Sequence, residues 1–125
     1  MNENQLSYEI IGAALKVHKS IGPGLLESAY ENALACELVD EGLIVREQVS
    51  LPFNYKSVHL DVGYRIDMIV DEKVIIEIKS VESLMPVHFS QVLTYLRLSG
   101  LRLGLLINFN SDHLKENIHR VVNNL

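Results

Sequence analysis

Leu6, Ile10, Ala13, Ala14 and Val17 recur at three- and four-residue intervals, which predicts a helix over Gln5–Lys19. Ile21-Gly22-Pro23-Gly24 ends it, because proline has no amide to give and clashes with the turn before it. A second helix is expected over Leu25–Glu41, with Leu26, Tyr30, Ala33, Leu34 and Leu38 inward and Gly42 closing it. Leu43–Ser50 and Leu51–Val58 read as short strands. Pro52 pushes the second towards an edge, and Lys56-Ser57 marks a turn. Arg65–Val70 and Val74–Ile78 are apolar, β-branched runs around the charged triplet Asp71-Glu72-Lys73, the pattern of a hairpin. Leu84–Ser99 is a helix with Pro86 in its first turn and Gly100 just past its end. Its core stripe is Phe89, Val92, Leu93 and Leu96. Leu101–Phe109 is apolar nearly throughout, as befits a strand buried on both faces, and Gly104 marks close backbone packing. Ser111 is placed to cap a last helix, Asp112–Asn123, with Leu114, Ile118, Val121 and Val122 inward and Lys115, His119 and Arg120 outward. The order α-α-β-β-β-β-α-β-α predicts an α/β fold, a mixed sheet with helices against it.

The hairpin carries acids where a buried strand should carry none: Asp67 in the first run and Glu77 in the second. Lys79 leaves the same face of its strand as Glu77. With an odd loop over residues 71–73, Val70 pairs with Val74 and Asp67 stands opposite Glu77, Cβ atoms about 5 Å apart. A two-residue loop would put Asp67 opposite Ile76, on the other face; the odd loop is the one expected. Two opposed carboxylates on a half-buried sheet repel, and a hard divalent cation is the usual remedy. Asp67, Glu77 and the Ile78 carbonyl offer such an ion three oxygens. Lys79 would orient a water or steady charge in the transition state. A surface ion pair of Lys79 with Glu77 or Glu82 is the plainer alternative. Gln91 and Tyr95, with His88, share a polar face of the Leu84–Ser99 helix at i, i+3 and i+7, either solvated or aimed at a ligand beside the hairpin. Glu27 sits at the edge of its helix stripe, where a lone acid is ordinarily solvated. His18 falls in the last turn of its helix, where a partly positive imidazole suits the C-terminus.

The chain has 125 residues, enough for one domain over 1–125 with a real core. A formal net charge of −5 argues against a non-specific nucleic-acid coat but leaves room for a metal-dependent nuclease, whose ligands are themselves negative. The single cysteine, Cys36, excludes a disulfide network or a cysteine-rich metal site and reads as core filler. No apolar run is long enough to span a bilayer, and the polar, acidic N-terminus is unlike a secretory signal. A cytoplasmic protein without membrane contact is expected.

Gly24-Leu25-Leu26-Glu27-Ser28-Ala29-Tyr30 resembles the pattern that names the bacterial GxxExxY proteins. The resemblance continues through LPFNYK, GYRIDMIV, IIEIKSVE, PVHFSQVLTYLRLSG and LGLLINF, nearly the whole chain. That family is placed in the PD-(D/E)XK nuclease superfamily. The resemblance implies a restriction-endonuclease-like mixed sheet flanked by helices, of core order α-β-β-β-α-β, here with an extra helix at each end. It puts the superfamily's metal-binding acid on Asp67 and its E-x-K on Glu77 and Lys79. The acid of the first core helix falls on Glu27. The Gln-x-x-x-Tyr of the RecB-like and phage-exonuclease-like branch falls on Gln91 and Tyr95. Ile66 stands where the signature has proline.

The function so implied is metal-dependent hydrolysis of DNA phosphodiesters, with Mg²⁺ or Mn²⁺ as cofactor. Asp67, Glu77, Ile78 and Glu27 are the expected metal ligands. Two rivals share the fold: a catalytically silent module that binds nucleic acid or a protein, and a subunit active only in a homo-oligomer or beside a partner that brings basic surface. The negative charge favours these rivals over a freestanding enzyme.

Overall fold

A computed structural model of the chain describes residues 1–60 and 64–125; Gly63, at the head of the GYRIDMIV stretch, lies outside them. In chain order the elements are α1 (Glu3–Ile21), α2 (Glu27–Asp40), β1 (Val45–Ser50), β2 (Phe53–Tyr55), β3 (Val58–Leu60), β4 (Arg65–Val70), β5 (Val74–Lys79), α3 (Pro86–Ser99), β6 (Leu103–Asn108) and β7 (Ile118–Val122). Five strands form one sheet in the order β1-β4-β5-β6-β7, and β2 and β3 form a small hairpin apart from it. The β5–β6 pair is parallel and the other pairs are antiparallel. α3 makes the crossover that a parallel pair requires.

Strand alternation sorts the core into two layers. Met68, Val70, Val74, Ile76, Ile78, Leu105 and Ile107 face α1 and α2, where Leu6, Ile10, Tyr30, Leu34 and Leu38 meet them. Ile69, Ile75 and Leu106 face Val92, Tyr95 and Leu96 of α3. Gly104 lies on the α3 side: a Cβ there would stand 2.6 Å from Val92 Cγ1. The close packing expected at that glycine is therefore present.

α1 opens on a reciprocal cap. The Gln5 amide donates to Asn2 Oδ1 at 2.8 Å and the Asn2 amide to Gln5 Oε1 at 2.9 Å. His18 Nε2 lies 2.6 Å from the Ser111 carbonyl, so this imidazole ties the end of α1 to the loop after β6. α2 begins at Glu27; Leu26, expected in its apolar stripe, is 78 % exposed in the loop before it. Cys36 is exposed and not core filler, because it stands two positions from Leu34 and Leu38, about 200° round the helix from each. The stretch expected as one strand over Leu51–Val58 is two, β2 and β3, folded back at residues 56–57.

The C-terminus departs most from expectation. Asp112–Asn123 forms no helix: a 3₁₀ turn over Leu114–Asn117 leads into β7, which pairs antiparallel with β6. Ser111 Oγ accepts the His113 amide at 3.0 Å and so closes a tight turn instead of capping a helix. The outer edge of β6 would otherwise leave buried amides and carbonyls unpaired. That cost outweighs the helical spacing of Leu114 and Ile118, and the β-branched Ile118, Val121 and Val122 suit a strand. His119, expected to face outward, is half-buried with its ring edge-on to Phe89 at 5.2 Å. No helix among the described residues is long and apolar enough to cross a membrane.

Candidate functional site

The hairpin turn is built without glycine. Asp71 and Glu72 both take left-handed backbone, φ 49° and 56°, and the Lys73 amide donates to the Val70 carbonyl at 3.0 Å. Positive φ at both central residues is the twist a tight hairpin needs. Asp71 offsets its strain through Oδ1, which accepts the Ile44 amide at 2.8 Å. Glu72 forms a two-pronged pair with Arg46 at 2.5 and 2.9 Å. Together they pin β1 to the turn. The register that results is Val70↔Val74, Ile69↔Ile75 and Met68↔Ile76. The loop over 71–73 is thus the odd one expected, and the ladder stops one residue short of Asp67 and Glu77, which meet through their side chains.

At that step side chains replace the backbone ladder. The Asp67 amide donates to Glu77 Oε2 at 3.1 Å, and the Ile78 amide donates to Asp67 Oδ2 at 2.8 Å. The β1–β4 pairing lapses at the same level. It runs to Glu47↔Met68 and resumes at Val49↔Ile66, with Gln48 in left-handed backbone at φ 50°. Beyond the lapse Ile66 packs in the α3-side layer together with Ile69, out of strict alternation. The sheet is opened at Asp67, and both carboxyls lie in the opening.

The electrostatics follow from the crowding. Glu77 is 3 % exposed. Burial first, then the neighbouring Asp67 carboxyl, push its pKa up to about 9, while the Lys79 charge pulls weakly the other way. Lys79 itself is half-buried and forms no ion pair among the described residues, so the surface-pair alternative does not describe it. Tyr95 is buried, and its phenol is pushed up to about 12 by burial and by the charges of Glu77, Asp67 and Tyr64. It stays a neutral hydrogen-bond donor through the physiological range. Gln91, one turn earlier, lines a groove of about 370 Å³ with Tyr95, Phe53, Tyr64, Thr94 and Leu98. His88 of the same polar face is instead spent on its own helix, its Nδ1 accepting the Met85 amide at 2.9 Å.

Glu27 is exposed at the first position of α2, and its Oε2 accepts the Ser80 amide at 3.2 Å. Ser80 Oγ donates to the Leu25 carbonyl at 2.6 Å, so the start of α2 is laced to the end of β5 next to Lys79. The α2 acid that feels Asp67 is Glu31, one turn on. Burial, the Asp67 charge and Glu47 push it up to about 7. Gln48 bridges the two: its Nε2 donates to Glu31 Oε1 at 2.8 Å and reaches Asp67 Oδ1 at 3.4 Å. Sequence reasoning missed Glu31 and Gln48. The four-residue step from Glu27 to Glu31 along one helix face was the available signal for the first; nothing marked the second. Tyr30 has a structural part. Its hydroxyl donates to the Gly22 carbonyl at 2.6 Å and accepts the Leu25 amide at 3.1 Å, and its ring stacks on Phe109 at 4.5 Å. The Gly24 and Tyr30 of the motif thus shape the turn that delivers Glu27, Gly24 by its φ of 98°.

An opened hairpin with paired acids and an E-x-K, on a mixed sheet flanked by helices, defines a restriction-endonuclease-like architecture. A family profile for the PD-(D/E)XK nuclease superfamily matches residues 4–121, and the chain belongs to that superfamily. No curated protein and no solved structure matches the chain.

Proposed function

We propose that the chain is a metal-dependent nuclease hydrolysing DNA phosphodiesters, with Asp67, Glu77 and Lys79 as its reacting groups. It would be one nuclease-like domain of the GxxExxY kind, in the RecB-like and phage-exonuclease-like branch, working in the cytoplasm. The observation that carries this reading is the mutual clasp of Asp67 and Glu77 in the opened sheet. Nothing in stability terms favours two carboxyls there, one of them buried.

The donor set suits a hard cation. Among the described residues no three His, Cys, Asp or Glu side chains gather as an all-protein cage. Mg²⁺ does not need one: it takes one or two carboxylates and keeps waters and substrate phosphates for the rest. Asp67 and Glu77 would hold it, with the Ile78 carbonyl, which leaves β5 on the same side as the amide that reaches Asp67. Glu27 or Glu31 would contribute through water. The ion supplies Lewis-acid polarisation of the phosphodiester and acidifies water. Lys79, beside Glu77, steadies negative charge building on the phosphoryl oxygens. Tyr95 and Gln91 donate hydrogen bonds to the strand and hold it against the acids.

The test is incubation of purified protein with linear single- and double-stranded DNA, with Mg²⁺, with Mn²⁺ and with chelator. Metal-dependent cleavage lost in Asp67→Ala and Lys79→Ala is the expected result. Cleavage unchanged in both would overturn the reading. A second reading, a subunit that works beside a basic partner or in an oligomer, is favoured by the net charge of −5 and by the extra acid Glu31 near Asp67, itself beside Glu47. Light scattering tests it: a strict monomer that cleaves alone excludes it.

A further inference from the structure

The groove between α3 and the β2–β3 hairpin is not used by the acids or by Lys79. Among the described residues every side chain lining it is uncharged: Phe53 and Tyr64 on one wall, and Gln91, Thr94, Tyr95 and Leu98 among those on the other. In a chain of net charge −5 this neutral wall stands out. Phe53 and Tyr64 form an aromatic pair, centroids 5.9 Å apart and planes 36° from parallel. Tyr64 keeps 44 % of its surface exposed, so the pair leaves aromatic surface open to solvent. The cavity, about 370 Å³, is at the small end of ligand sites, too small for a stacked duplex.

We infer that this groove receives an unstacked nucleobase of single-stranded DNA, seated next to the phosphate that is cleaved. The inference rests on the nuclease reading above and names the substrate class of that same site. Continuity carries it: Tyr95 lines the groove and also packs in one layer with Ile66 and Ile75, which stand close to Asp67 and Glu77 along β4 and β5. A ligand filling the groove can extend along Tyr95 towards the acids, and a nucleotide is a flat apolar face joined to a phosphate. An acidic surface repels the phosphates, so affinity must come from stacking, which every base can supply. Gln91 and Thr94 can bond the base edge. A mostly apolar lining suits deoxyribose and the thymine methyl better than a ribose hydroxyl that would need its own partner. A base within a duplex has both faces covered and cannot enter.

The test is anisotropy of a short labelled oligothymidylate at low ionic strength with chelator present. Its arms are the same length of duplex, of oligouridylate and of an abasic strand. Single-stranded DNA should bind most tightly, and the abasic strand, with every phosphate but no base, about tenfold more weakly or worse. Tyr64→Ala should lose about tenfold and Tyr64→Phe should retain binding, which separates stacking from misfolding. Phe53→Ala should act in the same direction. Equal binding of abasic and normal strands, an unaffected Tyr64→Ala, tighter binding of duplex or of RNA, or no binding of any strand would each overturn the inference. None of those outcomes touches metal-dependent cleavage scored through Asp67→Ala. Conversely, base-dependent binding without cleavage would keep the groove and remove the nuclease.

Discussion

Asp67 and Glu77 are joined through the backbone: the amide of the first donates to the carboxyl of the second, and the amide after Glu77 donates back to the carboxyl of Asp67. Each acid thus fixes the other's strand. Burial and the Asp67 carboxyl hold a proton on Glu77 up to a pKa of about 9. The unfolded chain releases that proton at the ordinary carboxyl value of about 4.5. Between those two values the folded state binds more protons than the unfolded state, so stability falls as pH rises. The slope from this one group is at most about 1.4 kcal/mol per pH unit. Melting temperatures taken in chelator from pH 5 to 9 should decline, and Glu77→Gln should flatten the curve and melt roughly 5 °C higher or more at pH 8. A wild-type curve that is flat or rising over this span would contradict the buried proton.

Mg²⁺ should reverse part of that loss. A ligand of the folded state alone stabilises by mass action. Titrating Mg²⁺ at pH 8 should raise the melting temperature of the wild type and leave Asp67→Asn and Glu77→Gln unmoved. The same rise in all three would place the ion elsewhere.

Lys79 should divide activity from stability. It is half-buried and forms no ion pair among the described residues, so its removal disturbs little packing. Lys79→Ala should change stability by less than about 1 kcal/mol and reduce cleavage by about 10²–10³. Parallel denaturation and single-turnover assays read the two effects. A variant that unfolds as it loses activity would make Lys79 a structural residue.

The strands and helices around the site were legible because each is short, apolar and punctuated. The register of the hairpin rested on expecting an odd loop, which the apolar pattern does not dictate. Both runs are apolar on both faces, so a one-residue slip leaves that pattern unchanged, and no glycine announces the left-handed Asp71 and Glu72 that set the turn. The last segment was not legible. Leu114 and Ile118 keep a helical spacing, and only the open edge of β6, a tertiary fact, turns Ile118–Val122 into a strand. Asp67 and Glu77 stood out as acids in apolar runs. Glu31 and Gln48 did not, because an acid on a helix and an amide on an edge strand are ordinary until the sheet brings β1 beside β4.

Gly104 gives a packing test. Its missing side chain is the space that Val92 fills, and a Cβ at 2.6 Å from the valine methyl cannot be absorbed by a flexible tip. Gly104→Ala should cost about 1–3 kcal/mol by denaturant titration. The pairing of Gly104 with Val121 on β7 should survive, since the alanine clashes with α3 and not with the sheet. A neutral substitution would mean that α3 shifts freely, and Tyr95 with it.

Gln48 separates backbone strain from side-chain function. Its φ of 50° is free of cost for glycine, mild for asparagine and costliest for a β-branched residue. Gln48→Gly should therefore fold at least as well as the wild type. It removes the amide that bridges Glu31 and Asp67, so cleavage should fall by about tenfold through a mis-set carboxylate rather than through lost structure. Gln48→Val should destabilise by about 1–2 kcal/mol as well. Gln48→Asn tolerates the same backbone but has a side chain one carbon shorter, and should fall between glycine and wild type in rate. Measured together, these three order differently for stability and for rate if the amide sets Asp67. A single shared order would reduce Gln48 to a strained turn.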